Sequence, residues 1–513
     1  MEERNFSSSR IAKNTIALYF RSFISMIIGL YSSRVLLNEL GVEDFGIYQA
    51  VGGMVALFSF LNSTMLVSSQ RFLNYEMGRN NPQGIREVFC MSMNIQILLA
   101  IIICILCEIL GIYAVQKILI IPEERLDAAL WVTHFSIFAL FVTIISVPYN
   151  SLIIAKEEMR SFAYIDILGS ILKLTVVLML GFLDFDSLII YSALIVFVQF
   201  VLFYLYRLVC KQKFEEANYK LIWNRNLFFK MMGFSGWTTL SSVTYIGRIQ
   251  GIIVMYNAFC GVIISAALGI ANQINNAITT LVNNFTMSFN PQLTKNYASG
   301  DIHNCKTIHQ TGPKFSFFLI SVISSPLLIN AKYLLQIWLK NVPYYTDCFI
   351  WLILGESLFR ALISTPNTVI RATGKVKDFE LICTSIQMGF LILAYICFRH
   401  NTNIFLPYGC LVVSVLIMGG YLVYRSCRIL AMSPLKYYLN VHIRMLLPYS
   451  LLIVALYLFM PKADNFPSLL LYSIIIIIAT IVVEYYGGFD KQEKNFINRF
   501  IVKIVFQTKQ WKV

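Results

Sequence analysis

Glu356 and Arg360 stand four residues apart inside the apolar run CFIWLILGESLFRALIS (348–364), the favourable order for an ion pair along one helix face. Asp166 and Lys173, seven residues apart in another apolar run, share a face by the same periodicity. Arg21, Arg34 and Arg248 also fall within apolar runs. Ionisable groups inside a membrane are costly to keep, and by default they mark a path for cargo or ions. The embedded set holds five cations, Arg21, Arg34, Lys173, Arg248 and Arg360, against three anions, Glu108, Asp166 and Glu356. A cavity lined by this set prefers an anion, with Asp166 and Glu356 as the places where a coupling cation, Na+ or H+, could enter. Arg34 lies close to Glu39, Glu43 and Asp44 at the end of its run and is expected to snorkel to the surface. Arg21 lies about 12 Å deeper than Lys13 at 1.5 Å per residue. On a straight helix Arg21 and Arg34 are about 220° apart, so they cannot share one cavity, and Arg21 is the better cavity candidate.

Amides supply the complementary chemistry. In ISAALGIANQINNAITTLVNNF (264–285), Asn272, Asn276, Thr279 and Asn283 recur at i, i+4, i+7 and i+11, within about 60° of one another on a helix. Amides facing lipid would go unsatisfied, so this stripe faces protein or water. Asn275, Thr280 and Asn284 flank it. Asparagine can simply glue helices together, but four polar groups stacked over three turns also suit a wet cavity that hydrogen-bonds a hydroxyl-rich cargo.

The elements that must position these residues are membrane helices. The chain is 58% hydrophobic and only 13% charged, with a mean hydropathy of +0.68, which excludes a soluble globular domain. Fourteen long apolar runs occur, near 14–37, 46–66, 88–114, 128–154, 161–182, 187–206, 231–256, 262–285, 315–331, 347–368, 379–398, 405–424, 445–460 and 467–486. Counted over alternate connections, about 30 of the 41 Lys and Arg fall in the set that contains both termini and about 6 in the other. The positive-inside rule then places both termini in the cytoplasm and explains the net charge of +14 as topology rather than nucleic acid binding. The first run is too long for a signal-peptide core, carries arginines and lacks a cleavage site, so it is expected to be retained. The eleven cysteines are scattered, without the paired spacing of a disulfide framework or a metal site, and no cofactor is expected. The tail interleaves Phe496, Ile497, Phe500, Ile501 and Ile504 with Lys and Arg, as an interfacial amphipathic helix does.

Two halves echo each other. ISVPYNSLIIAK (145–156) and ISTPNTVIRATGK (363–375) close the fourth and tenth runs, Pro148 falling on Pro366, while Gly29, Asn62 and Gly78 fall on Gly251, Asn284 and Gly300. Six runs separate the equivalents, so the copies point the same way across the membrane, as parallel repeats of transporters do. The reading is an all-α polytopic protein of about 14 transmembrane helices. It has a six-helix lobe over 1–206, a cytoplasmic linker over 207–230, a second six-helix lobe over 231–424, two additional helices over 425–486 and a basic tail over 487–513. The two lobes are expected to enclose a central cavity. Prolines near the ends of the fourth and tenth runs favour a kink or an early stop. The substrate-cavity residues are then Arg21, Lys173, Arg248, Arg360, Asn272, Asn276, Thr279 and Asn283. An anionic, hydroxyl-rich cargo of a membrane protein points to a glycan on a lipid pyrophosphate.

SRVLLNELGVEDFGIYQAVGGMVALFSFLN (33–62) followed by QRFLNYEMG resembles the polysaccharide (O-antigen and capsule repeat-unit) flippases of the MATE-like (MOP) exporter superfamily. MYNAFCGVIISAALGIANQINNAI, NFTMSFNPQLTKNYASGD and LLQIWLKNVPYY resemble the same family's second lobe. The resemblance implies two six-helix lobes around a cationic cavity. It also implies that lipid-linked oligosaccharide, of undecaprenyl-pyrophosphate type, crosses from the cytoplasmic to the outer leaflet of a bacterial inner membrane. Alternating access would be driven by an ion gradient or the membrane potential, with other polysaccharide-assembly proteins as possible partners. The family supplies no fixed site motif, so the site residues rest on the helix-face reading. Two rivals remain: a cation-coupled multidrug exporter of the same fold, which would want an acidic cavity, and a membrane glycan polymerase or glycosyltransferase. For the last, DFD at Asp184 to Asp186 is a weak metal-binding pattern in a connection too short to build a site.

Overall fold

A computed structural model of the protein describes residues 2–56, 59–117, 119, 121–182, 186–339, 342–400, 403–495 and 498. Asp184 of the DFD pattern and Phe496, Ile497, Phe500, Ile501 and Ile504 of the tail lie outside them. The described residues form helices and no strand, as long apolar runs must in lipid, where each backbone donor needs a partner within its own segment.

In chain order the helices are α1 (Glu2–Ala56), α2 (Ser59–Gly78), α3 (Pro82–Lys117), α4 (Leu126–Ala155), α5 (Met159–Met179) and α6 (Ser187–Lys213). Then follow α7 (Arg225–Cys260), α8 (Val262–Ala298), α9 (Ile302–Trp338), α10 (Thr346–Leu362), α11 (Ser364–Ala372) and α12 (Lys377–Arg399). The last are α13 (Leu406–Ile429), α14 (Pro434–Tyr437), α15 (Arg444–Phe459) and α16 (Phe466–Val483). Among the described residues ten helical segments are long and apolar enough to cross a membrane, or eleven if α10 and α11 form one span bent by 43°. The expected runs at 46–66, 231–256 and 262–285 coincide with the end of α1 and α2, with α7 and with α8.

Backbone conformation carries the internal repeat more clearly than side chains do. Gly41 interrupts α1 at φ 74° and ψ 172°, and Gly261 joins α7 to α8 at φ 87° and ψ 173°, a region that glycine enters without penalty. These two turns are 220 residues apart. Asn80 and Gly300 repeat the left-handed turn after α2 and α8, and Glu157 and Gly374 repeat it after α4 and α11. Pro148 and Pro366 behave differently. Helix α4 runs unbroken through Pro148, whereas the Pro366 segment is split at Ile363 into α10 and α11.

The chain divides into two compact units, Arg10–Ser242 and Val243–Val513 together with Met1–Ser9. In the first, Leu36, Val51, Val132, Val177 and Tyr191 pack a core between α1, α4, α5 and α6. Beside it Arg125 binds Asp44 and Asp186, and Asp186 also accepts the Leu188 and Ile189 N–H groups at the start of α6. Residues 214–224 dock on the same unit. Asn94 donates to the Ile222 carbonyl at 2.7 Å, Tyr219 donates to Asn94 at 2.7 Å and Lys156 binds Glu216 at 2.7 Å. In the second unit α8, α9 and α10 pack closely. At Gly312 a Cβ would meet Thr365 Cγ2 at 2.7 Å and Phe289 at 3.2 Å. Helices α15 and α16 lie on α9, where buried Lys314 holds Glu493, which follows α16 in a helical turn over 491–495, at 2.9 Å.

Arg125 serves two carboxylates and a helix start at once. Arg125→Ala is expected to lower stability by about 1.5–3 kcal/mol, the range for hydrogen bonds to charged groups, read as a lower melting temperature in detergent, with Arg125→Lys falling between.

Candidate functional site

The second unit contains a cavity of about 200 Å³ between α7, α8, α10 and α13, lined by Arg248, Asn272, Asn275, Thr279, Asn283, Glu356, Arg360 and Tyr408 among others. At its wall Glu356 Oε1 accepts from Arg248 Nη2 at 2.5 Å and from Arg360 Nε at 2.8 Å, and Oε2 accepts from the Tyr408 hydroxyl at 3.1 Å. Arg248 and Glu356 are 4% and 5% exposed, so water does not stand in for a missing partner. Tyr245 lies beneath both guanidinium groups, 5.9 Å from Arg248 and 5.3 Å from Arg360, where its ring face adds cation–π attraction.

The charge does not balance. One carboxylate faces two arginines, leaving a net charge of +1, and Arg248 Nε, Arg248 Nη1 and Arg360 Nη2 are buried without a hydrogen-bond partner. A guanidinium carries five donors in a fixed fork that matches carboxylate and phosphate oxygens. Such unused donors are the kind of group from which the oxygens of an anion can accept.

Helix α8 supplies the neutral part. Asn272, Thr279 and Asn283 line the cavity, while Asn276 is exposed and lies off it; Asn275 lines it instead and accepts from Ser357 at 2.6 Å. The lining residues 272, 275, 279, 282, 283 and 286 show that the wet face is rotated by roughly 40° from the expected stripe, toward Asn275 and Thr286. The bend between α10 and α11 follows from Pro366, which cannot donate to the Leu362 carbonyl. It leaves Ser364 at the cavity beside Arg360.

The remaining candidates lie in the first unit. Arg21 meets Asp166 at 3.6 Å and stacks over Phe162 at 5.0 Å, with Asp166 42% exposed. Lys173 lines a separate cavity of about 340 Å³ with Ser25, Ser32, Ser33, Ser170 and Tyr191. Asp166 therefore pairs with Arg21 on α1, while its helix neighbour Lys173 faces elsewhere. Arg34 is exposed and Asp44 is taken by Arg125. Within one unit the structure thus brings together Arg248, Arg360, Glu356, Asn272, Thr279 and Asn283. The sequence reading missed Tyr245, Tyr408, Ser357 and Asn275 as members of this wall. Ser357 adjoins Glu356, but nothing in LPYGC (406–410) marks Tyr408 until α13 is packed on α10.

No family model matches the chain, and no curated protein matches it. Solved structures do. A multidrug resistance MATE family transporter of the MOP superfamily in an outward-facing conformation is similar at a TM-score of 0.70 and 12% identity, over 83% of this chain and 96% of that one. A MATE protein in complex with MaL6 is similar at 0.68 and 13%, over 82% and 97%. A MOP superfamily transporter from Pyrococcus furiosus, described as having a binding pocket of reversed polarity that suggests a different function, is similar at 0.69 and 12%, over 83% and 97%. The chain has the fold of MATE transporters and is a multi-pass membrane protein.

Removing Glu356 leaves buried Arg248 and partly buried Arg360 face to face, whereas removing Arg360 leaves a neutral pair. Glu356→Ala is expected to cost about 3–5 kcal/mol, the range for breaking a buried pair, and Arg360→Ala distinctly less. Melting temperatures of the purified variants, compared in one detergent, check the order.

Proposed function

We propose that this protein is a flippase that moves lipid-linked oligosaccharide repeat units of undecaprenyl-pyrophosphate type from the cytoplasmic to the outer leaflet of a bacterial inner membrane, for surface polysaccharide synthesis. In this reading the chain has fourteen spans, two six-helix lobes and both termini in the cytoplasm, and it works by alternating access without ATP. The observation that carries it is the cationic excess at Arg248, Glu356 and Arg360, with three buried guanidinium nitrogens whose N–H groups are left for an anion.

Phosphate oxygens accept from those donors, and Asn272, Asn275, Thr279 and Asn283 are placed to meet hydroxyl groups. The cavity of about 200 Å³ is smaller than the roughly 300–1,000 Å³ that enclose a drug-sized ligand. It suits the charged head of the cargo, not a whole repeat unit. As phosphate draws Arg248 and Arg360 toward itself, Glu356 loses its counter-charges and can take a cation in their place. Cargo and cation thereby compete for the same guanidinium groups, a differential contact that any coupling of the two requires. Arg21 with Asp166, and Lys173, are the matching candidates in the first unit. A second reading, a cation-coupled multidrug exporter, is favoured by the fold of the similar transporters. The sign of the charge at the cavity wall weighs against it.

The test is a strain lacking the protein, from which membrane lipids are extracted. Accumulation of the complete pyrophosphate-linked unit, with loss of surface polymer, is the expected outcome. A truncated unit would point to a glycosyltransferase, and an unchanged glycan with altered drug resistance to the exporter. In the complemented strain Arg248→Ala and Arg360→Ala are each expected to reduce surface glycan about tenfold or more, equivalent to about 1.4 kcal/mol of lost cargo binding, at unchanged membrane abundance. Asn276→Ala, off the cavity, is expected to match the wild type.

A further inference from the structure

Cys397 near the end of α12 and Cys410 in the first turns of α13 are thirteen residues apart, across the short connection that reverses the chain. Their Sγ atoms are 3.8 Å apart. Both side chains are partly exposed, so a reagent or an oxidant can reach them. A disulfide bond needs the two sulfurs at about 2.05 Å, a closure that side-chain torsions can supply between helices already in contact. The surroundings are rigid. Tyr256 is fully buried, donates to the Ile404 carbonyl at 2.7 Å, and packs edge-on against Phe398 at 4.8 Å and Phe349 at 5.2 Å. Phe398 and Ile404, both lying between the two cysteines in sequence, are thereby held on Tyr256, and the thiols are held near each other rather than meeting by chance.

We infer that Cys397 and Cys410 form a disulfide bond that staples the outer end of the α12–α13 hairpin. The inference rests on the orientation given above, in which the connection 400–405 faces the outside of the cell, where disulfides persist. The oxidant is a disulfide-bearing protein or small molecule of that compartment. One cysteine thiolate attacks its S–S bond, forming a mixed disulfide and releasing one thiol. The second cysteine then attacks the mixed disulfide, forming the Cys397–Cys410 bond and releasing the other thiol. Two electrons pass to the oxidant, and the two protons end on its reduced thiols. The bond joins α12 to α13 at the outer end of the second unit, so these two helices move as one piece there while their other ends stay free.

The test uses the full-length protein in its own membrane. Thiols are blocked with N-ethylmaleimide in intact cells before solubilisation, and unreduced peptides are read by mass spectrometry. The expected result is one cross-linked peptide pair containing Cys397 and Cys410, abolished by reductant, together with alkylation of Cys410 in the Cys397→Ser variant. If both thiols are found alkylated, the purified protein is treated with diamide. Rapid joining of Cys397 to Cys410 there would overturn the inference for the cell and place the fault in the orientation. No joining would overturn it on geometry. A bond from Cys410 to Cys260 instead would overturn it as well.

Discussion

One carboxylate shared by two arginines governs the second unit. Glu356 on α10 accepts from Arg248 on α7 and Arg360 on its own helix, and Tyr408 on α13 supplies a third donor. Three helices are therefore tied at a point where water cannot substitute for any of them. A buried carboxylate held ionised without these donors would be costly, and buried Arg248 beside partly buried Arg360 without the carboxylate more so. The cluster is stable because it is nearly balanced, and it can act on a ligand because the balance is incomplete. The bend after Arg360, the amides of α8 and the ring of Tyr245 are all arranged around the donors that remain.

The two ion clusters differ in what they can do. Arg21 and Asp166 meet at 3.6 Å with the carboxylate 42% exposed; where such a pair is wet, it contributes on the order of 0–1 kcal/mol. Arg248 and Glu356 meet at 2.5 Å and are almost wholly enclosed. The first pair can open at little cost and suits a group that changes partners. The second holds architecture as well as charge, and any ligand that displaces one of its contacts must replace it in kind. Oppositely charged oxygens on a phosphate do so; a second cation, arriving while both arginines are in place, does not.

Much of this was legible in the residues. Apolar runs located the helices, and the i, i+4 spacing of Glu356 and Arg360 foretold their contact because it is local to one helix. The partner of Asp166 was not legible, because Lys173 satisfied the same local rule while Arg21, 145 residues away, won in three dimensions. The expected stripe on α8, Asn272, Asn276, Thr279 and Asn283, is centred away from the cavity face, which also includes Asn275, Val282 and Thr286 and leaves Asn276 outside. The internal repeat was faint in side chains and clear in the backbone, where Gly41 and Gly261 adopt the same left-handed turn. A turn constrains φ and ψ and leaves its flanking side chains free to drift. For the same reason Asn80 can stand where Gly300 does, and Glu157 where Gly374 does.

The size of the cavity bears on how specificity is divided. Under the proposed function, a space of about 200 Å³ would hold only the charged headgroup of the cargo, so recognition at this wall would be recognition of charge and hydrogen-bonding geometry. Guanidinium groups read the paired oxygens of a phosphate by direction as well as by charge, and they read them equally well whatever the phosphate carries. Discrimination among attached groups must then come from the amides and hydroxyls of α8, which are neutral and individually weak. Under the proposed function, a site built in this way would bind a class of anionic cargo strongly and its members with small differences. Exchanging one asparagine on α8 changes preference within the class, while exchanging an arginine changes the class.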